Sequence, residues 1–247
     1  MRISKIIKYL EYVAPADKST ERDNVGLLIK GKDNIRRVMV CLDITKDAAE
    51  YAVSCKADLI ITHHPFIYDP LYRIDNDELI AVIRNKSAVI SLHTNYDAAR
   101  LNDVLAEKCF LREIKHIFFE EGISLGREGI TDTTGFNEYI EKIKKSLGVD
   151  IVKVTGNIPD KVSAVAVGTG SSGSFAEDIK SLDIDVFVTG EIKYDILKSI
   201  AGTGPAVVEL GHYESEEIFV DDLSALLAEK FPSLDIFPYK RRISAYF

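Results

Sequence analysis

The feature that most constrains this chain is an alternation that runs through it twice. Short β-branched apolar runs give way to helical patterns: "RRVMVCLD", "TKDAAEYAVSCK", "DLIITHH", "DELIAVIRNK", "AVISLHT" and "LNDVLAEK". Strand and helix signals in strict succession build βαβ units, whose parallel strands need helices packed on the sheet faces. After a break the alternation resumes with "SAVAVGTGSSG", "DIDVFVTGE", "YDILKSIAG" and "AVVELGH", then a closing helical pattern from about Ser215 to Lys230. The expected fold is α/β, with two similar subdomains and mostly parallel sheets. The pairs "DLIITHH" then "AVISLHT", and "DVFVTGE" then "AVVELGH", follow one order in the two halves. They suggest a duplication, which a shared strand order would support.

The break is the stretch "FFEEGISLGREGITDTTG" beginning at Phe118, whose glycines interrupt the periodic pattern. It marks the expected crossing, giving a first subdomain at 1–122, with segment 217–247 as a candidate to complete it, and a second at 123–216. A helix follows, with Phe136, Ile140, Ile143 and Leu147 on one face and Gly148 at its end.

At 247 residues and 46% hydrophobic content the chain can bury a large core. Its net charge of -8 supplies no global attraction for nucleic acid, although Lys142, Lys144 and Lys145 form a local basic group. Cys41, Cys55 and Cys109 are odd in number, far apart and free of a Cys-x-x-Cys pair, which excludes a disulfide framework and a thiolate metal knot. The opening segment carries Ile3, Ile6, Ile7 and Leu10 at helical spacing among lysines, so it reads as a first helix stopped near Pro15, not as a secretion signal. No run is long enough to cross a bilayer, and the expected location is cytoplasmic.

In open α/β sheets ligands bind at the carboxyl ends of the strands, so the polar residue after each apolar run carries the functional signal. "LIITHH" delivers His63 and His64, "VISLHTNYD" delivers His93 and Asp97, "VFVTGE" delivers Glu191, and "VVELGHYESEE" delivers His212 and Glu216. Four of the 5 histidines sit at expected strand ends, leaving His116 in an ordinary setting. One strand-end histidine is usually a packed or solvated residue; four of them point to a metal. Imidazole and carboxylate donors suit zinc, iron, manganese or nickel. Adjacent residues of an extended strand face opposite ways, so His63 and His64 fit two ions better than one. His212 and Glu216 are a helical turn apart and share a face. Asp97 could bridge a pair of ions, which in two-metal sites lie about 3.5–4 Å apart. Two carboxylates leave two divalent ions undercompensated, so the centre would favour an anion or an acidified water.

"DNVGLLIKG", "ITHHPFIY", "HTNYDAARLNDVLAEK", "VTGEIKYD" and "GHYESEE" resemble, in order, the motifs of the Nif-three-like family, the GTP cyclohydrolase I type 2 homologues. The resemblance spans nearly the whole chain. It implies a homohexameric toroid of two-domain α/β subunits, each with a dinuclear metal centre in the crevice between its domains. By motif the ligands it implies are His63, His64, Asp97, His212 and Glu216, holding two divalent transition metal ions (Zn, Fe, Mn or Ni). The activity it implies is hydrolytic opening of the guanine ring of GTP, with His93 as candidate acid or base. "DAARLND" departs from the family's glycine-containing stretch at this point, and the chain resembles the family's short form, without an inserted domain.

Two other readings remain. "GTGSSG", Gly168 to Gly173, follows an expected strand, and Glu191 ends the next, which formally satisfies the dinucleotide fingerprint. That reading leaves the histidines unexplained; a more modest role for the loop is to hold a substrate phosphate on its backbone amides. The other reading is a non-catalytic ring with structural or regulatory metals that binds DNA or a protein partner, its hole lined by Lys142, Lys144, Lys145, Lys153, Lys240, Arg241 and Arg242.

Overall fold

Strands buried over nearly their whole length belong inside a sheet covered on both faces. In the computed structural model, which describes residues 1–244, three such strands are β2 (Arg37–Cys41), β3 (Leu59–Thr62) and β4 (Ala88–Ser91). They pair in parallel, so each must return through a crossover, and helices Lys46–Ser54 and Asp77–Asn85 supply these. Thr45 and Asn76 cap the two helices by accepting from Ala48 N (3.3 Å) and Leu79 N (2.8 Å). Antiparallel β1 (Gly26–Ile29) flanks β4, and β11 (Asp235–Tyr239) lies parallel to β2, giving the order β1-β4-β3-β2-β11. Met39, Cys41, Ala48, Ala52, Ile60, Val82 and Val89 form the core beneath one face. The first helix, Ile3–Val13, ends before Pro15 as expected.

The second sheet has the order β5-β6-β8-β9-β10-β7. Its strands are β5 (Arg112–Glu120), β6 (Ile123–Gly135), β7 (Lys153–Thr155), β8 (Lys161–Ser171), β9 (Val186–Glu191) and β10 (Ala206–Glu209). β8, β9 and β10 are mutually parallel, while β5, β6 and β7 pair antiparallel. Phe118, Phe175, Phe187, Ile179, Leu197 and Val207 fill its core. The glycine-rich stretch after Phe118 lies within a hairpin. Glu121 and Gly122 both take positive φ (52° and 82°), the two-residue turn that matches strand twist.

By compactness the chain forms two units, Met1–Ala99 with the segment from Phe219 onward, and Arg100–Ile218. The division falls at Ala99/Arg100, ahead of 122/123, because β5 and β6 pair with each other and β6 pairs with β8. The closing helical pattern is two helices, His212–Glu216 and Ile218–Lys230, the first in the second unit and the second, from Phe219 on, in the first.

The two units repeat one plan. The runs β1-β4-β3-β2 and β7-β10-β9-β8 share chain order, sheet order and direction, the outer pair antiparallel and the other two parallel. Registers agree as well: Val38 faces Leu59 and Leu59 faces Ala88, as Val165 faces Val186 and Val186 faces Ala206. One carboxylate precedes the central strand of each repeat. Asp58 Oδ2 accepts from Arg36 N (3.1 Å) and Arg37 N (3.0 Å); Asp185 Oδ2 accepts from Ser163 N (2.8 Å) and Ala164 N (2.9 Å).

Removing such an acceptor strands backbone donors, at a cost of about 1–3 kcal/mol each way. Asp58→Ala and Asp185→Ala should therefore lower urea stability by about that amount. Burial alone would raise the Asp58 carboxyl, but Lys32 and the two amides outweigh it and hold it below its usual value. Its stabilising share is present at neutral pH and is lost as acid titration passes through that lowered value. Wild type and Asp58→Ala should converge in stability below the ordinary carboxylate range, where the charge that distinguishes them is gone.

Candidate functional site

Because β2, β3 and β4 run the same way, their carboxyl ends open on one edge of the first sheet. β3 ends at Thr62, and His63 and His64 follow; β4 ends at Ser91, and His93 follows. The ring centroids of His63, His64 and His93 lie 5.2, 5.3 and 5.7 Å apart pairwise. One donor atom from each ring falls within 4.8 Å of the others, a group able to hold a metal ion. Strand alternation would turn His63 and His64 apart; the strand has already ended, the chain bends, and both rings reach the same place. Asp97 enters at the head of a single wide turn, Asp97–Leu101, with Oδ1 3.6 Å from His63 Nε2. Phe219 packs 5.0 Å from His63 and 4.9 Å from Tyr96, an apolar wall behind the group.

The parallel strands of the second unit do the same for His212 and Glu216. They share one turn of helix, and His212 Nε2 lies 3.1 Å from Glu216 Oε2. Glu216 is buried, held there by the loop that resembled a nucleotide fingerprint. Gly170 has φ +58°, and a Cβ on it would stand 2.2 Å from Glu216 Oε1. A Cβ on Gly190 would meet Gly170 O at 2.5 Å and Ser215 Oγ at 2.6 Å. The glycines thus make room for protein groups. Gly170 N donates to Ser215 Oγ (3.0 Å) and Thr169 N to Asn102 Oδ1 (3.0 Å), so these amides are already engaged. The helix after the loop, Ala176–Ser181, is too short to form a strong anion site.

Every one of the four strand-end histidines has Nδ1 against an oxygen. His63 Nδ1 donates to Leu92 O (2.8 Å), His64 Nδ1 to Asp43 Oδ1 (2.8 Å) and His212 Nδ1 to Glu191 Oε1 (3.1 Å). His93 Nδ1 faces both oxygens of Asp23, at 2.9 and 3.0 Å. An oxygen at Nδ1, with Nε2 turned toward the ion, is how metal-binding imidazoles are commonly supported; here Nε2 of His63 and of His212 each faces a carboxylate, Asp97 (3.6 Å) and Glu216 (3.1 Å). In each unit the donors are imidazole nitrogens with a carboxylate and no thiolate, types suited to a transition metal ion.

Asp23 and Asp43 carry no role in the motif reading, yet the strand-end rule reaches Asp43, which closes "RRVMVCLD". Asp23 precedes β1, and only the tertiary structure brings it to His93, 70 residues on. Its side chain is 1% exposed and also accepts from Thr94 N (3.0 Å) and Thr94 Oγ1 (2.5 Å). Burial alone would raise its pKa; the hydrogen bond and charge of His93, with Thr94, hold it at about 2.

Five of the seven cations considered for nucleic acid face carboxylates. Lys142 pairs with Glu138 (2.9 Å), Lys144 with Glu141 (2.8 Å), Lys153 with Glu209 (2.7 Å), Lys240 with Asp221 (2.5 Å) and Arg241 with Asp47 (2.9 Å). The three cysteines are unpaired thiols, Cys41 and Cys109 buried. Among the described residues no helix is long and apolar enough to cross a membrane.

Two α/β units with histidines and carboxylates at their strand ends define a class of α/β proteins with groups able to hold a metal, and comparison with known proteins narrows it. The model of the Duf34/NIF3 (NGG1p interacting factor 3) family matches residues 1–242, and the chain belongs to that family. A Clostridium perfringens "GTP cyclohydrolase 1 type 2 homolog" is 30% identical over 246 residues, covering 94% of each chain. One of the same name from Streptococcus pneumoniae is 32% identical and covers 96% of each. In fold, a Staphylococcus aureus hypothetical protein superposes with a TM-score of 0.89 at 22% identity, covering 100% of this chain and 99% of its own.

Gly170→Ala should test the loop's role. The left-handed backbone costs a side chain about 1–2 kcal/mol, and the new methyl must displace the Glu216 carboxylate. A modest fall in unfolding midpoint is expected, with a larger loss of affinity for divalent ions in calorimetric titration.

Proposed function

We propose that this protein is a dinuclear metal-dependent hydrolase of nucleotides or related phosphate-bearing substrates, with His63, His64 and Asp97 of the first unit and His212 and Glu216 of the second as its ligands. The observation that carries this reading is the uniform presentation of Nε2 by histidines at parallel strand ends, with Asp97 and Glu216 beside them. When bound, two such ions supply Lewis acidity and lower the pKa of water enough for attack near neutral pH.

The chain's own residues account for the rest. His63, His64 and His212 donate without adding charge, while Asp97 and Glu216 return two negative charges against four positive ones. The remaining positive charge favours an anionic substrate. His93 keeps its Nδ1 proton on Asp23 and accepts or returns a proton at Nε2, the task of a general acid or base. Phe219 and Tyr96 exclude water behind His63, which strengthens every charge interaction in front of it. The name borne by the Clostridium and Streptococcus relatives makes GTP the first substrate to offer, and the family resemblance extends the proposal to a homohexamer.

Metal analysis of protein purified without added metal, beside a mass measurement in solution, should find about two ions per chain and six chains per particle. With manganese, zinc or iron added, GTP and generic phosphoesters should be turned over. Asp97→Ala should lose more than about 100-fold, beyond what loss of an outer partner costs, and His93→Ala about 10²–10⁴-fold with metal content unchanged. Equal rates in wild type and Asp97→Ala would end the hydrolase reading.

A further inference from the structure

We infer that Asp23, Asp43 and Glu191 are positioning residues, each holding the Nδ1 proton of one site histidine so that Nε2 faces the metal or the substrate. The inference rests on the metal reading above and specifies what sets the affinity of the centre. An imidazole free in water favours the tautomer with its proton on Nε2, the wrong one for ligation through that atom. An acceptor at Nδ1 reverses the preference, and an anionic acceptor also makes the ring a stronger donor to a cation.

The three carboxylates differ in how they are built, and the difference separates a positioning role from a structural one. Asp23 is structural as well: its oxygens take Asn24 N (2.8 Å), both Thr94 donors and His93, so its removal disturbs the chain around it. Asp43 and Glu191 are open to solvent, with side chains 45% and 56% exposed. Exposed pairs of this kind contribute little to folding. Their value to the protein lies in the rings they hold, His64 at 2.8 Å and His212 at 3.1 Å.

The internal repeat strengthens the assignment. Thr62-His63-His64, which begins on the last residue of β3, corresponds to Thr189-Gly190-Glu191 at the end of β9, with Leu92 N on Thr62 O as Leu210 N is on Thr189 O, both 2.9 Å. The position that holds a ligand in the first repeat, His64, holds an orienting carboxylate in the second, Glu191. Divergence of one strand-end position into these two roles is what a shared task at that edge would produce.

The test reads tautomers directly. Long-range proton–nitrogen spectra of the metal-free protein should show the Nδ1–H form for His63, His64 and His93; His212, whose Nε2 also faces Glu216 Oε2 at 3.1 Å, is read in the zinc-bound protein, where Nδ1 alone should carry a proton. With 5 histidines in the chain, single substitutions assign each ring. Asp43→Ala should release His64, and Glu191→Ala should release His212, toward the Nε2–H form. Each should weaken zinc or manganese binding by calorimetry about 10–100-fold, with the unfolding midpoint unchanged. Asp43→Asn and Glu191→Gln keep an oxygen acceptor and should restore most of the affinity. An Nε2–H form of His64 and His212 in the wild type, or full metal affinity in both alanine variants, would overturn the inference while leaving the metal reading intact. A wild type that binds no divalent ion would instead sink the metal reading, and the spectra would still decide whether these carboxylates select the tautomer.

Discussion

Parallel pairing is the constraint on which everything else here depends. A parallel ladder cannot be closed by a hairpin; each strand must return through a helix, and every strand then ends at the same edge. In the first unit that edge collects Asp43, His63, His64 and His93 from three strands, and in the second it collects Glu191 and His212 from two. No side chain has to be carried far. The backbone hydrogen bonds that build the sheet also gather these side chains, and the strands behind them are buried valines and isoleucines.

Around this frame the two repeats have solved one problem differently. The first unit surrounds its histidines with carboxylates and a carbonyl and backs them with Phe219 and Tyr96. The second uses small residues, Gly170 and Gly190, so that a buried glutamate can approach the backbone closely with Ser215 locking the loop. A glycine-rich turn after a strand often means a phosphate cradle. Here the space that the missing side chains leave is taken by Glu216 and Ser215, and at least two of the loop's amides are spent inside the protein.

Much of this was legible in the chain because it rests on local rules. Hydrophobic period and the residue following each apolar run are local, and they led to α/β architecture, to the repeat, and to His63, His64, His93, Asp97, Glu191, His212 and Glu216. Where local rules misled, a longer-range pairing was responsible. The glycine-rich stretch after Phe118 looks like a boundary until β5 and β6 are seen to pair across Glu121 and Gly122. The opposed facing expected for His63 and His64 requires a strand that runs through His64, whereas β3 ends two residues earlier, at Thr62.

By itself the sequence determined which residues stand at strand ends and which donor chemistry they bring, since both follow from periodicity and side-chain type. Only the tertiary structure decided which oxygen meets each imidazole nitrogen. Asp23 lies 70 residues from His93, and Asp43 and Glu191 each lie 21 residues from their histidines. Such pairings depend on how strands are ordered across a sheet, and no short-range spacing along the chain encodes that order.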